Sequence, residues 1–236
     1  MRTIAKVSLF IFVSVASVNL HAQDKMLTVG IKGSVNVSNW GGDIEDSKAK
    51  PGFNAGITLD YLFTDELQLM TGLELVTKGA KNIELKQESE TGGDNIFKYK
   101  GTQNAMYIQL PLRIGYRMNM SETTRLVLYA GPFLAYGISG KVKFEDKLTL
   151  DPSSGSAELI SFDDDRNPMK SLGKEYDTFS DKGYKRFDFG LGAGLGGEME
   201  HFAVYIGFDY GVLNMSQNDL YKARTMNAHL SVGYKF

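Results

Sequence analysis

Histidine is the first residue type to consider for chemistry, because a hydrolytic or acyl-transfer site needs a histidine within reach of a hydroxyl and a carboxylate. The chain has three histidines, and His21 falls in an N-terminal segment that we expect to be removed. His201 occupies a short turn, whereas His229 lies in the last predicted strand with Asp209 on the neighbouring strand. The default interpretation of His229 is a place in a structural polar network, since such networks also hold ionisable groups. The sequence therefore predicts no catalytic residue, and a site centred on His229 is the alternative.

An acidic segment, SFDDDRNP, is the second candidate for chemistry. Asp163, Asp165 and Asn167 have the one-apart spacing of oxygen ligands in calcium-binding loops. However, Pro168 stands at the sixth position, where these loops need glycine, and Lys174 stands at the twelfth, where they need glutamate. This excludes an EF-hand. We expect a solvated acidic loop without a metal, and a weak divalent-cation site is the alternative.

The first 22 residues have the three parts of a secretory signal peptide. Arg2 and Lys6 precede the apolar run VSLFIFVSVASV, and a small-residue cleavage site ends at Ala22. A membrane anchor needs about 20 apolar residues, which is longer than this run. We therefore predict that residues 1–22 are a cleaved signal and that residues 23–236 form one exported domain.

Composition limits the remaining function classes. The chain has no cysteine, so neither a lipoprotein anchor nor a disulfide framework is available. The formal net charge is -2 and both signs are mixed along the chain, which argues against nucleic acid as a partner.

Apolar residues recur at spacing two far more often than at three and four, which is typical of strands. Runs with this period span residues 27–38, 52–63, 67–78, 105–117, 125–139, 186–199, 202–213 and 226–236. Each is long enough to cross a bilayer as a tilted strand of roughly 9 to 11 residues. The connections alternate between short and long, as in outer-membrane barrels with short periplasmic turns and long external loops.

Side chains alternate across a strand, so these runs define two faces. One face is apolar, with residues such as Ile31, Ile57 and Leu110. Charge of both signs occupies only the other face, where we expect a network of Lys32, Asp60, Glu74, Arg113, Arg117, Arg186, Asp188, Glu198, Asp209 and His229. In a soluble lipocalin-like barrel the apolar face would line the interior. Aromatic residues near the strand ends and the alternation of loop lengths favour the inverted arrangement of a membrane barrel.

The predicted fold is therefore all-β: an eight-stranded antiparallel up-and-down transmembrane β-barrel. An eight-stranded barrel is only just wide enough for side chains to fill it, so we expect a polar, filled lumen in which the cations pair with the carboxylates. The glycine-rich segment GLGAGLGG would need a following helix to bind phosphate, and a strand runs through it instead. No cofactor is expected.

Pro111, in the stretch YIQLPLRIGYR, is predicted to point into the lumen. Because proline lacks a ladder donor, we expect a bulge or bend there. In lipid an unpaired carbonyl opposite it is unfavourable, so a water or side chain on the lumen side must satisfy it.

Selective recognition is expected in the external loops, because lipid contact and lumen packing use both strand faces. Loop 140–185 is the largest and carries Tyr176, Phe179 and Tyr184 among charges, so we expect any surface or envelope protein partner to bind there. Trp40 is interpreted as an interfacial anchor, with an external contact residue as the alternative. We expect a monomer surrounded by outer-membrane lipid.

The segments YIQLPLRIGY, FDFGLGAGLGGEME, AGPFLAYGISG and HLSVGYKF resemble the PorT-type outer-membrane β-barrel family of Bacteroidota. The resemblance covers nearly all of the chain after the signal. It implies an outer-membrane barrel of eight strands without catalytic residues that can be transferred. The expected role is non-enzymatic, structural or surface-interacting, with a secretion association left open. A small lumen-based enzyme or narrow transporter around His229 is the alternative.

Overall fold

The computed structural model of the protein describes residues 26–42, 47–87, 97–144, 175–179, 183–217 and 222–236. Within these ranges the strands are β1 (Leu27–Gly42), β2 (Lys48–Leu62), β3 (Leu67–Gln87), β4 (Phe97–Asn119), β5 (Thr124–Phe144), β6 (Glu175–Asp177), β7 (Phe187–Met199), β8 (Phe202–Gly211) and β9 (Ala223–Lys235). The predicted signal segment, 1–22, lies outside the described residues. No helix in the described ranges is both long and apolar enough to cross a membrane.

Eight of these strands form a closed antiparallel barrel, and the short β6 is added to the external end of β5. The order around the barrel is β1, β2, β3, β4, β5, β7, β8 and β9, so each strand pairs with its neighbours in sequence. The ring closes where β9 pairs with β1, from Gly30↔Lys235 to Gly42↔Ala223. The predicted eight-stranded up-and-down barrel is therefore confirmed.

The two ends of the barrel differ in their connections, as the sequence predicts. Residues 63–66, 120–123 and 200–201 form short turns at one end, and all longer connections lie at the other. Short turns are periplasmic and long loops are external in barrels of this type. We name the two ends accordingly.

Three strands extend furthest beyond their predicted runs at the external end. β3 runs to Gln87, β4 begins at Phe97 and β5 runs to Phe144. The β3–β4 ladder continues from Ile83↔Gly101 to Gln87↔Phe97. Beyond the lipid both faces of a ribbon meet water, so the apolar–polar alternation that reveals a strand is lost while backbone pairing continues.

Burial separates the two faces in the sense expected for a membrane barrel. On the apolar face Ile31 is 51% exposed, Leu191 is 55% exposed and Ile206 is 57% exposed. On the polar face Asp188 is 0% exposed and Glu74 is 5% exposed. A soluble barrel would show the opposite distribution, so the inverted arrangement is confirmed.

The bulge predicted at Pro111 is wrong. The β4–β5 register keeps the same offset on both sides of Pro111 and shifts instead between Met106 and Tyr107. Pro111 does point inward, and its carbonyl accepts a hydrogen bond from Thr71 Oγ1 at 2.7 Å. Side-chain donors thus satisfy the backbone near the proline without an extra residue in the strand.

Candidate functional site: the filled lumen and its external mouth

The periplasmic third of the lumen contains a group of charges that we call the periplasmic ion cluster: Lys235, Asp60, Glu198, Arg117 and Tyr205. Lys235 Nζ lies 2.7 Å from Asp60 Oδ2 and 2.6 Å from Glu198 Oε1. Tyr205 Oη donates to Glu198 Oε1 at 2.5 Å, and Arg117 Nε lies 3.9 Å from Glu198 Oε2. Each member is on the inward face of its strand, so the cluster links β2, β4, β7, β8 and β9 across the lumen.

The central third contains two further ion pairs. Lys32 Nζ on β1 lies 2.7 Å from Glu74 Oε1 on β3. Arg113 on β4 donates to Asp209 Oδ1 on β8, and Gln109 Nε2 donates to Asp209 Oδ2 at 3.1 Å. Arg113 also donates to the carbonyl of Gly131, so one guanidinium satisfies both a buried carboxylate and a backbone acceptor on β5. Such shared hydrogen bonds are what a buried charge needs in order to remain ionised.

The external third contains one ion pair that is almost completely dry. Lys78 Nζ on β3 lies 2.9 Å from Asp188 Oδ2 on β7, and the two side chains are 1% and 0% exposed. Thr225 Oγ1 donates to the same carboxylate at 2.7 Å. The ammonium also lies over the rings of Phe133 and Tyr107, at 4.4 and 5.1 Å from their centroids. These aromatic faces supply part of the stabilisation that water would otherwise give the cation.

Lys78 and Lys235 were missing from the predicted network, although the sequence contains a signal for both. Lys78 follows Glu74 by an even number of residues on β3, so the two share the inward face. Lys235 shares its face with His229 on β9 by the same rule. The sequence prediction placed Lys235 on the polar face but left it out of the network, and it named Lys78 only as the last residue of its run.

Arg186 lies apart from the rest of the predicted network. Its Nη1 donates to the carbonyl of Gly137 at 3.0 Å, and its guanidinium lies 5.0 Å from the centroid of the Phe179 ring. No ion pair joins it to a carboxylate within the described part of the chain. Arg186 therefore packs at the external rim and not against the lumen acids.

His229 lies in the central third, but its partner differs from the expected one. Its Nε2 is 3.4 Å from Tyr129 Oη. Asp209, the partner suggested by the sequence, is bound by Arg113 and Gln109 instead. These side chains border a cavity of about 50 Å³, which is enough for a few water molecules.

The external mouth of the lumen is closed by a group that we call the mouth cluster: Trp40, Tyr107, Phe179, Tyr184 and Met215. The rings of Trp40 and Tyr184 stack with centroids 4.7 Å apart, and Tyr107 and Phe179 meet edge to face at 5.5 Å. Met215 is 0% exposed. Three of the five come from the external connections, so loop residues fold back into the barrel and close it.

The mouth cluster corrects two predictions. Trp40 is 3% exposed and is neither an interfacial anchor nor an external contact. Phe179 and Tyr184, which we expected on the recognition surface of loop 140–185, are each only 7% exposed. Gly137 leaves the space for Phe179, because a Cβ at this glycine would lie 2.1 Å from the ring.

The described residues contain no group of three or more His, Cys, Asp or Glu side chains that could hold a metal ion. The acidic segment from Asp163 to Lys174 lies outside the described residues. For that segment a solvated loop without a metal stays the prediction, and a weak divalent-cation site stays the alternative.

Comparison with known proteins agrees with this architecture. The family model described as outer membrane protein beta-barrel domain matches residues 21–217. The chain belongs to this family of outer-membrane β-barrels. Localisation in the outer membrane follows from the family together with the lipid-facing apolar surface. No curated protein sequence matches the chain.

Several solved barrels are similar to this outer-membrane barrel in fold. Ail, the attachment invasion locus protein of Yersinia pestis, has been solved in complex with the heparin analogue sucrose octasulfate. It is 14% identical, with 89% of this chain and 99% of that chain covered and a TM-score of 0.41. Neisserial surface protein A is 11% identical, with 88% and 97% covered and a TM-score of 0.39. At such identities and TM-scores these proteins are no basis for assigning function.

Proposed function

We propose that this outer-membrane barrel is a non-enzymatic surface protein whose external strands and loops bind a protein partner. The observation that carries the proposal is the contrast between the lumen and the external end. Ion pairs and the mouth cluster fill the lumen, whereas β3, β4 and β5 project beyond the lipid-facing band.

The projecting β3–β4 ribbon is the part best suited to binding. Its ladder continues to Gln87↔Phe97, past the last described pairing of β3 with β2 at Lys48↔Lys81. On its other side the described pairing of β4 with β5 ends at Gly101↔Phe144. Both edges of the ribbon therefore carry backbone groups without a ladder partner in the described part of the chain. Strand edges of this kind accept a strand from another protein.

The lumen gives little support to the alternative of an enzyme or narrow transporter. His229 borders a cavity of about 50 Å³, whereas small-molecule sites typically measure several hundred Å³. The carboxylate that could orient the imidazole, Asp209, is held by Arg113. If a deletion strain has a phenotype, the His229→Gln variant should therefore complement it as well as the wild-type protein does. Loss of complementation with a correctly folded variant would favour the lumen site.

Cross-linking on intact cells tests the surface role. One variant replaces residues 84–100 by a short Gly/Ser turn and so removes the ribbon, and a second replaces residues 151–170 by a linker. Both keep every residue of the mouth cluster, so heat-modifiable gel migration should show a folded barrel. We expect the cross-linked partner to be lost in the first variant and weakened in the second. An unchanged set of partners in both would contradict the proposal.

We retain three finer assignments as proposals on the sequence features given above. They are membership of the PorT-type group, cleavage after Ala22 and a monomeric barrel. N-terminal sequencing of the protein from outer membranes should give Gln23 as the first residue. Recovery of the uncleaved chain would contradict the signal assignment.

A further inference from the structure

The mouth of the lumen is covered by a layer of loop residues that are hydrogen-bonded to one another. The lid, as we call this layer, consists of residues 177–179, 183–185 and 214–217. The backbone N–H of Tyr184 donates to the carbonyl of Thr178 at 2.8 Å. The backbone N–H of Lys185 donates to the carbonyl of Met215 at 2.8 Å. Tyr184 and Ser216 also lie opposite each other in an antiparallel bridge. Two external connections are therefore joined into one layer, which carries three members of the mouth cluster.

On the β4–β5 side the lid is attached through Thr178, which is 0% exposed. Its backbone N–H donates to the carbonyl of Gly140 at 3.1 Å, and its Oγ1 donates to the carbonyl of Asn104 at 3.0 Å. Both carbonyls lie beside the register shift of the β4–β5 ladder, which falls between Met106 and Tyr107. Thr178 therefore bonds to both strands of the barrel wall at the point where their own ladder is irregular.

The neighbouring residue, Asp177, extends this attachment to the rim. It lies directly opposite Lys141 on β5, and both residues are exposed. Opposite charges at such positions stabilise a strand pair modestly. In the described part of the chain β6 pairs with β5 over three residues, whereas β7 pairs with β8 over ten. The lid is held to the wall by much less backbone pairing than the strands are to each other, so its detachment would leave the barrel ladders intact.

Closure of the mouth buries polar atoms that lack a partner. Gln103 is 0% exposed, and neither its amide oxygen nor its amide nitrogen has a hydrogen-bond partner among the described residues. The same holds for Tyr107 Oη and for Trp40 Nε1. Polar groups buried in this way lose their hydration without replacement. Water that enters an open mouth would hydrate them, which offsets part of the packing gained by the stacked rings and brings the closed and open states closer in free energy.

We propose that the lid opens and closes as one unit on a folded barrel, with Asp177 and Thr178 as its latch. Opening takes two aromatic rings of the lid away from Trp40 and Tyr107, so that both barrel residues face the external medium. The ion pairs at the centre of the lumen stay in place, so the open state is a vestibule and not a pore. The lid does not depend on the protein-binding role proposed above.

Hydrogen exchange of the refolded mature barrel in detergent tests whether the lid moves as a unit. The amides of Thr178, Tyr184 and Lys185 donate within the lid or at its latch, so each exchanges when the lid opens. After correction for intrinsic rates, the three should give one common opening constant, roughly tenfold or more above that of amides in the β7–β8 ladder. Exchange at the rate of that ladder, or three unrelated constants, would overturn the proposal.

The first variant weakens the buried part of the latch. Thr178→Val keeps the shape of the side chain but removes the hydroxyl that donates to the carbonyl of Asn104. The loss of one hydrogen bond should raise the opening constant measured at Tyr184 and Lys185 about fivefold. Faster exchange confined to residue 178 would show that the latch does not hold the rest of the lid, and would overturn the proposal.

The second variant weakens the exposed part of the latch. Asp177→Asn removes the charge opposite Lys141 but keeps the oxygen that accepts from the backbone N–H of Phe179. The opening constant should rise about twofold. Lys81→Gln is the matched control, because it removes an exposed charge from another sector of the rim, and it should leave the constant unchanged. An equal rise in both variants would overturn the assignment of the latch.

A disulfide can lock the latch, because the chain has no cysteine of its own. Lys141→Cys and Asp177→Cys occupy directly opposite ladder positions. The Cα atoms of such a pair are about 4.5–5.5 Å apart, within the range that a disulfide needs. Trp40 reports the state of the mouth, since it is the only tryptophan and is 3% exposed when the lid is closed.

The oxidised and reduced forms of this one variant are compared directly. Oxidation should slow hydrogen exchange at the lid by roughly tenfold or more, and it should reduce quenching of Trp40 fluorescence by acrylamide. Heat-modifiable gel migration should be the same in both forms, since the barrel itself is unchanged. Equal exchange or equal quenching in the two forms would overturn the proposal.

Discussion

The two ends of the barrel interior are closed by different kinds of interaction. The periplasmic ion cluster consists of strand residues. Within it, Glu198 has three partners: Lys235, Tyr205 and Arg117. The external end is closed by the mouth cluster over one isolated ion pair, Lys78 with Asp188. At the periplasmic end Glu198 has several polar partners and Lys235 lies between two carboxylates, whereas at the external end Lys78 has Asp188 as its one counter-charge among the described residues and both are shielded from water. A single substitution should therefore have a larger effect at the external end.

The largest effect is expected for Lys78→Met. Removing one partner of a buried ion pair leaves Asp188 as an uncompensated charge, which destabilises by about 3–5 kcal/mol. Urea unfolding from lipid vesicles measures this loss. The double variant with Asp188→Leu should regain most of it, because an apolar pair of similar volume replaces the ion pair. A loss below about 1 kcal/mol in the single variant would mean that water reaches the pair, as at the periplasmic end.

The next effect tests the packing of the mouth cluster. Gly137→Leu places a side chain where the Phe179 ring lies, and overpacking of this kind costs about 1–3 kcal/mol. Combining it with Phe179→Ala should restore stability in a double-mutant cycle. Gly33→Leu is the control, since a Cβ at that lipid-facing glycine meets no atom within 4 Å. Equal losses at Gly137 and Gly33 would argue against a packed mouth.

A smaller effect is expected at the periplasmic end for Arg117→Gln. Glu198 keeps Lys235 and Tyr205 in this variant, so the loss in unfolding free energy should be about 0.5–1 kcal/mol. The same urea experiment gives the value. A loss as large as that of Lys78→Met would show that the periplasmic charges do not share their partners, and the contrast between the ends would be wrong.

The smallest effect is expected in conductance. Phe179→Ala combined with Tyr184→Ala opens the external mouth, but Arg113 and Asp209 still span the centre of the lumen. Planar-bilayer recordings should therefore show no large steady conductance in this variant or in the wild type. A stable pore in the variant alone would show that the mouth cluster is the only barrier.

Alternation along each strand made most of the barrel predictable from sequence. It identified the eight crossings and placed Asp60, Glu74, Asp188 and Asp209 on the inward face, because the period of two is fixed by backbone geometry. The alternation of loop lengths gave the orientation. Lys78 follows the same rule and ends its predicted run, but it was not counted in the predicted network.

The mouth cluster could not be predicted in this way. Phe179, Tyr184 and Met215 lie in connections without a strand period, and an aromatic residue in a loop has the same sequence signature whether it binds a partner or packs inward. Trp40 was read as interfacial because tryptophan is enriched there. The strand has no bulge at Pro111, where Thr71 and Arg113 donate to nearby carbonyls, and a single strand sequence does not show which donors will reach it.

Lys235 couples closure of the barrel to neutralisation of the lumen acids. It lies on β9, which completes the ring by pairing with β1, and it is the shared counter-charge of Asp60 on β2 and Glu198 on β7. A barrel without β9 would have no ammonium group between these two acids, and Glu198 would keep only Arg117 as an ion-pair partner among the described residues. The strand that closes the ring therefore also supplies the counter-charge of both acids.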